Sequence, residues 1–193
     1  MSRERATSRR EKRTPRPLDD ARLRDLALAY VARFATSAGK LRAYLRRKLR
    51  ERGWEGEGEP PVEELVARFV EKSYVDDAAY GRAKAQGLLA RGYGARRVEE
   101  ALRAADIDEA TRSDLAPEEH ERRVAVVALA RRRGFGPYAT NMPESALERG
   151  KLKEKRLAAL LRAGHEFAHA RHVLEAATIE ELEEWVAESE SPD

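Results

Sequence analysis

The sequence contains no cysteine, few aromatic residues and no long hydrophobic run, and each absence excludes a class of protein. Without cysteine the chain has neither a disulfide framework nor a thiolate metal site, which fits a reducing compartment, so we expect a cytoplasmic protein. The longest apolar run, residues 124–130, is too short to cross a membrane, and the first residues lack the apolar core of a signal peptide. Charged residues make up 38% and aromatics 6% of the chain, which favours solvated helices over a β-sandwich.

Charge is spread unevenly along the 193 residues, although the formal net charge is only +3. Residues 1–17 carry seven Arg or Lys and two Glu, whereas residues 175–193 carry eight acids and no base. The body between them has a net charge of +6, which indicates a polyanionic neighbour such as nucleic acid. The acidic end argues against indiscriminate binding to nucleic acid. We predict a basic disordered arm at 1–17 and a disordered tail at 189–193. The alternative to a polyanionic partner is that both ends are merely solvated and disordered.

A short amphipathic helix after a glycine recurs at a separation of seventy-two residues, at Gly92 and at Gly164. The apolar positions that follow have identical spacing: Val98, Ala101 and Leu102 in one copy, and Ala170, Val173 and Leu174 in the other. A third copy begins at Ser37 and continues with Leu41, Tyr44 and Leu45. Recurrence of one supersecondary pattern is typical of stacked repeats, which usually act by offering surface to a partner.

Helical periodicity throughout predicts an all-α protein of about three tandem three-helix repeats, stacked into an elongated, curved array. The predicted repeats are 18–75, 76–116 and 117–188, the last with a loop at 134–144 and an acidic final helix. The first apolar stripe runs from Leu23 to Phe34. In the helix after Pro117, the residues expected to point inward are Val124, Val127 and Ala128.

Residues 165–169 match H-E-x-x-H, in which two histidines on one helix face bind zinc and the glutamate is a general base. The pattern needs a continuous helix, but Gly164 precedes it and is expected to end a helix, as the earlier glycine of the repeat does. His165 then lies in a turn and cannot stack over His169. We therefore predict no catalytic residue, no cofactor and no functional metal. His165, His169 and His172 are interpreted as satisfied or solvated, with an adventitious metal site as the alternative.

Arginine-rich runs occur at related positions in successive units, namely Arg42 to Arg50, Arg91 to Arg97 and Arg131 to Arg133. Arginine near aromatic rings is suited to binding phosphates, to stacking, or to binding carboxylates of a protein partner. The alternative for each run is a solvated helix face. Because stacked repeats align equivalent positions, we expect the runs to lie along one surface. Tyr74, Tyr80 and Tyr93 are interpreted mainly as packing residues.

Several short motifs, taken in order, resemble those of the RecX family, the small modulators of the RecA recombinase. The matching residues lie between Leu18 and Leu174: Ala27-x-x-Tyr30-x-x-Arg33-Phe34, Leu41-x-x-x-Leu45 with Gly53-Trp54, Tyr74-Val75-Asp76-Asp77 with Tyr80, Arg91-Gly92-Tyr93-Gly94 with Arg96, Arg97 and Val98, and Ile107-Asp108. The order and spacing of these elements are hard to obtain by chance. Ser73 and Asp106 stand where the family usually has glycine, so we expect altered turn geometry at both positions.

The resemblance implies tandem three-helix repeats and a protein without catalysis of its own. Members of the family bind RecA and its filaments on DNA and typically restrain ATP hydrolysis, strand exchange and co-protease activity. We therefore expect a monomeric negative regulator of RecA. Its candidate contacts with RecA or DNA are Arg91, Tyr93, Arg96, Arg97, Arg46 and Arg47. The alternative, which rests on the basic body and arm, is a DNA-binding helical module that acts without RecA.

Overall fold

The computed structural model of the chain describes residues 16–190, which form ten α-helices and one short 3-10 turn. The prediction of an all-α protein is confirmed. Most of the predicted basic arm and tail, residues 1–15 and 191–193, lies outside the described residues. Within residues 16–190 the extended pairing is limited to one bridge between Leu18 and Trp54. No helix in this range is long and apolar enough to cross a membrane.

The first segment of the fold contains α1 (Asp20–Val31), α2 (Ala38–Arg52) and α3 (Val62–Glu71). Side chains cap the first two helices, because the amide of Arg22 donates to Asp19 (2.8 Å) and the amide of Lys40 donates to Ser37 (3.2 Å). Leu41 of α2 is completely buried, as its position in the predicted stripe requires.

The second segment contains α4 (Asp77–Leu89), α5 (Ala95–Arg103) and the short α6 (Glu109–Asp114). Asp76 caps α4 by accepting the amide hydrogen of Ala79 (2.8 Å), and Asp108 caps α6 by accepting that of Thr111 (2.9 Å). The sequence predicts one cap at Asp76 or Asp77 and another within residues 106–108, and both are confirmed, with Asp76 and Asp108 as the capping residues. They satisfy amide groups that have no carbonyl partner in the first turn of a helix.

The remainder of the described chain contains α7 (Glu119–Arg133), the 3-10 turn (Gly136–Tyr138), α8 (Ala146–Arg162), α9 (Phe167–Glu175) and α10 (Ile179–Ala187). Residues 117–188 thus hold four α-helices, one more than a three-helix unit. The 3-10 turn lies within the segment predicted as a loop. Thr178 and Glu181 have the spacing of a capping box in the sequence, and the cap of α10 that this spacing predicts is confirmed, since Thr178 accepts the amide hydrogen of Glu181 (3.2 Å).

Within residues 16–190, three separate hydrophobic cores hold the helices together. The first consists of buried residues between Leu18 and Val75, the second lies between Ala85 and Ile107, and the third lies between Val126 and Leu182. Each core draws its residues from one of the predicted units, while the exact repeat boundaries stay a prediction. Short helices of this kind are unstable alone, so each depends on burial of its apolar face against its neighbours.

The inward face predicted for α7 is wrong. Its buried residues are Ala125, Val126, Leu129 and Ala130. Val124, expected to point inward, is 43% exposed, and Val127 and Ala128 are only partly buried. The seven-residue apolar run makes the helix hydrophobic on every side, so periodicity does not specify one face. The packing of α7 against α9 and α10 decides the orientation.

The apolar stripe assigned to α1 ends earlier than predicted. The helix stops at Val31, and the chain turns so that Phe34 is 53% exposed instead of packed in the core. The amide of Phe34 still donates to the Tyr30 carbonyl (3.0 Å), which keeps the turn close to the helix end. A stripe at helical spacing therefore extended past the residue at which the helix terminates.

Ser73 and Asp106 share an unusual backbone conformation. Their φ angles are 56° and 55°, and they are the only non-glycine residues between 16 and 190 with positive φ. This left-handed conformation disfavours a Cβ atom, and glycine adopts it at least cost. The two positions singled out by sequence as replacements of glycine are thus the two that form left-handed helix ends without it.

Candidate interaction surface

Arg96 and Arg97 lie at the junction between α5 and the end of α8, and Arg91 and Tyr93 precede it in the turn between α4 and α5. Two backbone hydrogen bonds form this junction. The amide of Gly94 donates to the Ala163 carbonyl (2.9 Å), and the amide of Arg96 donates to the Gly164 carbonyl (3.2 Å). The N-terminus of α5 therefore satisfies carbonyls at the end of α8 that have no partner within their own helix.

The glycines of this junction allow two backbones to touch. A Cβ atom on Gly94 would lie 2.4 Å from the carbonyl carbon and oxygen of Gly164. A Cβ atom on Gly164 would lie 2.6 Å from the amide nitrogen of Arg97, and Gly164 also has a φ of 95°. Gly94 and Gly164 therefore meet at one contact where side chains cannot be accommodated, whereas a Cβ atom on Gly92, the repeat partner of Gly164, would lie 2.9 Å from Leu129 of α7.

The arginines at the junction differ in availability. Arg96 has a structural role, because its Nη2 donates to the carbonyl of Leu161 (2.7 Å) at the end of α8. Arg97 is exposed and pairs with Glu100 on its own helix (3.1 Å). Arg91 is also exposed, with its guanidinium 6.0 Å from the centre of the Tyr93 ring. Arg91 and Arg97 are thus better placed than Arg96 to contact a partner.

Arg46 and Arg47 lie on α2, and no contact among the described residues joins them to the junction of α5 and α8. Arg46 pairs with Glu63 of α3 (2.8 Å) and Arg47 pairs with Glu51 (3.6 Å). A hydrogen bond from Arg42 lowers the pKa of the Glu63 carboxyl, so this carboxylate stays ionised beside the arginines. A surface shared by the arginines of α2 and α5 stays a prediction.

A related contact joins the first and second segments. The hydroxyl of Ser37 donates to the carbonyl of Ala105 (2.6 Å), and the amide of Ala38 donates to Asp77 (2.7 Å). Burial raises the pKa of Asp77 despite this hydrogen bond. As at the junction of α5 and α8, small residues at the start of a helix, here Ser37 and Ala38, allow the end of a neighbouring helix to pack closely against it. The two junctions thus fix how neighbouring segments pack against each other.

The H-E-x-x-H segment does not form a zinc site. His165 lies between α8 and α9, outside both helices, so the predicted helix stop at Gly164 is confirmed. Nε2 of His165 is 3.0 Å from the Gly92 carbonyl, whereas Nε2 of His169 is 3.1 Å from Glu119. The two rings therefore contact different partners, and residues 16–190 contain no group of three ligands arranged to hold a metal ion. Burial lowers the pKa of His165.

His172 does not fit the interpretation of satisfied or solvated histidines. Its Nε2 is buried and has no hydrogen-bond partner among the described residues. The ring packs on Trp185 of α10, with ring centres 4.3 Å apart. The guanidinium of Arg123 lies 4.7 Å from the centre of the Trp185 ring and also donates to the Trp185 carbonyl (2.6 Å). The histidine-rich segment thus serves to anchor the last helix.

Sequence reasoning missed a cleft between the first and second segments, which we call the aromatic cleft and define by Phe34, Tyr74, Tyr80 and Lys84. Tyr74 was interpreted as a packing residue, but 55% of it is exposed. The available signal was the position of Phe34 beyond the last turn of α1. The cleft forms only when α1 and α4 are brought together, so a linear pattern does not reveal it.

The chain is 31% identical over 170 residues to a regulatory protein RecX from Myxococcus xanthus, and the match covers 84% of the chain and 89% of that relative. The chain belongs to the RecX family. It is also 37% identical over 108 residues to a regulatory protein RecX from Thermus thermophilus, covering 55% of the chain and 72% of the relative.

A solved structure of the family has the same fold. The crystal structure of RecX from Lactobacillus salivarius superposes with a TM-score of 0.60 at 16% identity, covering 84% of the chain and 96% of that protein. No family model matches the chain. The helical array is thus shared with a protein whose sequence is very different, which is expected when apolar pattern and helix packing determine the fold.

Proposed function

We propose that the chain is a non-enzymatic negative regulator of the RecA recombinase. It binds RecA and RecA filaments on single-stranded DNA as a monomer, and it lowers ATP hydrolysis, strand exchange and co-protease activity. The observation that carries this proposal is the match of 84% of the chain to a relative named as a regulatory protein RecX. Residues 91–97 carry one of the motifs that resemble the family, and Gly94 and Arg96 within them are hydrogen-bonded to the end of α8.

The junction between α5 and α8 supports the assignment of contact residues. Arg91 and Arg97 are exposed on a backbone that two inter-helix hydrogen bonds hold in place. A fixed backbone keeps the two guanidinium groups in one region, and guanidinium groups bind carboxylates and phosphates through paired hydrogen bonds, so these arginines are suited to a protein–DNA filament. Tyr93 packs partly into the second core, which leaves its exposed edge beside Arg91.

Titration of the purified chain into RecA filaments on single-stranded DNA tests the proposal. ATP turnover and filament length are followed together while the ratio of the chain to RecA is raised to one. We expect both to fall at substoichiometric to stoichiometric amounts. Unchanged ATP turnover and unchanged filament length at an equal ratio would contradict the proposed function.

A matched pair of variants tests the contact residues. The double variant Arg91→Ala with Arg97→Ala should raise the concentration needed for half-maximal inhibition by roughly tenfold, as expected for loss of interface arginines worth more than ~1 kcal/mol. Arg103→Ala is the control, because Arg103 also lies on α5, with 70% of its side chain exposed and an ion pair to Glu99. Equal effects of the two substitutions would show that general charge, and not this position, matters.

A further inference from the structure

The aromatic cleft exposes large rings to solvent. It has a volume of about 540 Å³ and is lined by Phe34, Tyr74 and Tyr80 together with Val31 and Ala83. Phe34 is 53% exposed and Tyr74 is 55% exposed. Leaving aromatic surface in water forgoes the free energy of its burial, so two such rings beside one cleft point to a ligand with apolar faces.

The two exposed rings are held in place by aromatic neighbours. Phe34 packs against Tyr30 with ring centres 5.4 Å apart, and Tyr30 stacks on Tyr44 at 4.2 Å. Tyr74 packs edge-on against Phe69 at 5.5 Å, and its amide donates to the Phe69 carbonyl (2.9 Å). Rings positioned in this way lose little freedom when a flat ligand stacks on them.

Positive charge surrounds the cleft. The guanidinium of Arg33 lies 5.8 Å from the centre of the Phe34 ring, and Nζ of Lys40 lies 5.1 Å from the centre of the Tyr80 ring. Lys84 lines the cleft directly. None of these three cations forms an ion pair with a carboxylate within residues 16–190.

The charge around the cleft is less compensated than that at the arginine runs. Arg46 and Arg97 already pair with carboxylates of the chain. The one carboxylate among the cleft's lining residues, Asp76, accepts the amide hydrogen of Ala79 (2.8 Å) and so serves as a helix cap. An anionic ligand therefore meets three available cations here without first displacing an internal ion pair.

We propose that the aromatic cleft binds unpaired nucleobases of single-stranded nucleic acid. Bases stack on Phe34 and Tyr74, while the three surrounding cations contact the flanking phosphates. Sequence-tolerant binding of single strands combines these two elements, a positively charged path and aromatic faces. An apolar protein side chain would use the rings but not the cations, and an acidic peptide would use the cations but not the rings. This site does not require RecA and goes beyond the proposed function.

Fluorescence anisotropy with a labelled oligo(dT) strand tests the cleft in the full chain. Removing both rings, Phe34→Ala with Tyr74→Ala, should weaken binding at least tenfold, because each base–aromatic stack contributes about a factor of five or more. The pair Phe34→Tyr with Tyr74→Phe keeps the aromatic faces and should bind like the unaltered chain. Circular dichroism establishes that each variant is folded at the assay temperature.

Phe167→Ala supplies a matched control. Phe167 is also a phenylalanine, it is 56% exposed, and it lies at the start of α9, outside the cleft. Its removal should leave oligo(dT) affinity unchanged. Lys84→Gln should reduce the slope of log affinity against log salt by about 0.7, the value for one phosphate contact on a single strand. A duplex of the same length, whose bases are already stacked, should bind more weakly and not respond to loss of the rings.

A ribose oligo(U) strand in the same assay identifies the source of the bases. Tighter binding of oligo(dT) assigns the cleft to DNA and tighter binding of oligo(U) assigns it to RNA, provided that loss of both rings weakens the preferred strand. On irradiation, an iodouracil-substituted strand should become covalently crosslinked to Phe34 or Tyr74. Crosslinks found only at other residues would overturn the proposal.

Unchanged oligo(dT) affinity in the double variant would also overturn the proposal. If that variant keeps oligo(dT) affinity but no longer lowers the ATPase activity of RecA filaments, the cleft binds a protein side chain instead. Failure of the proposed function gives a different result. In that case the unaltered chain leaves RecA activity unchanged, while its oligo(dT) affinity still depends on Phe34 and Tyr74.

Discussion

Replacing Gly94 by alanine adds one methyl group to the contact between α5 and the end of α8. The backbone of Gly94 has φ −84° and ψ 174°, which alanine adopts without strain, so any cost is steric. The new Cβ atom would lie 2.4 Å from the carbonyl carbon and oxygen of Gly164 and 2.5 Å from the amide nitrogen of His165. These are backbone atoms, so the two helix ends must separate.

The expected destabilisation is about 2 to 5 kcal/mol. Overpacking at a tight contact costs about 1–3 kcal/mol, and separation also weakens the hydrogen bonds from Gly94 to Ala163 and from Arg96 to Gly164, each worth about 1 kcal/mol. Equilibrium unfolding in urea measures this loss as a lower midpoint. Because α5 carries Arg97, the same variant should also weaken regulation of RecA under the proposed function.

Gly87→Ala is the control for this prediction. Gly87 lies inside α4, and a Cβ atom there meets no other atom within 4 Å. The same added methyl group should therefore stabilise the chain by about 0.5–1 kcal/mol, since alanine is the better helix former. If the free energies of unfolding of the two variants agree within ~0.5 kcal/mol, the reasoning about the junction is refuted.

Three further changes probe the fold. Ser73→Gly should stabilise the chain by about 1 kcal/mol because glycine adopts the left-handed φ of 56° more easily, and a lower thermal midpoint would contradict this. Burial lowers the pKa of His165 in the folded chain below its unfolded value of 6.5. The contribution of neutral His165 to the free energy of unfolding is therefore complete above pH 6.5 and is lost as the pH falls through the pKa of the folded chain. His165→Asn should therefore reduce the difference in unfolding free energy between pH 7.5 and pH 5; an unchanged difference counts against this role. Trp185→Ala should cost about 2 kcal/mol from lost contacts with His172 and Arg123, and faster hydrogen exchange confined to α10 is the expected signature.

Features encoded by neighbouring residues could be predicted well from the sequence. A cap was expected at Asp76 or Asp77 and another within residues 106–108, and Asp76 and Asp108 do cap helices, because capping is a contact within one turn. The helix stop at Gly164 was expected from the repeat, and it removed a zinc site that the letters alone suggested. Features that depend on which side of a helix meets a neighbour, such as the buried face of α7, were predicted incorrectly.

The candidate site shows the same division. The sequence groups Arg91, Arg96 and Arg97 as candidate contacts, and their role stays a prediction, but only the structure separates Arg96, which holds α8, from the other two. The aromatic cleft escaped prediction altogether. Phe34 and Tyr74 are forty residues apart in the chain, and each fits a helical pattern that is also typical of core residues.

The amino-acid sequence by itself determined the all-α class, the helix stop at Gly164 and the recurrence of Gly92 at Gly164, because these depend on local backbone preference and on spacing. The tertiary structure decided what those residues do. Gly94 turned out to be a site of backbone contact, His172 an anchor for the last helix, and Phe34 an exposed ring. Such roles depend on partners distant in the chain, and the energy of packing between helices selects them.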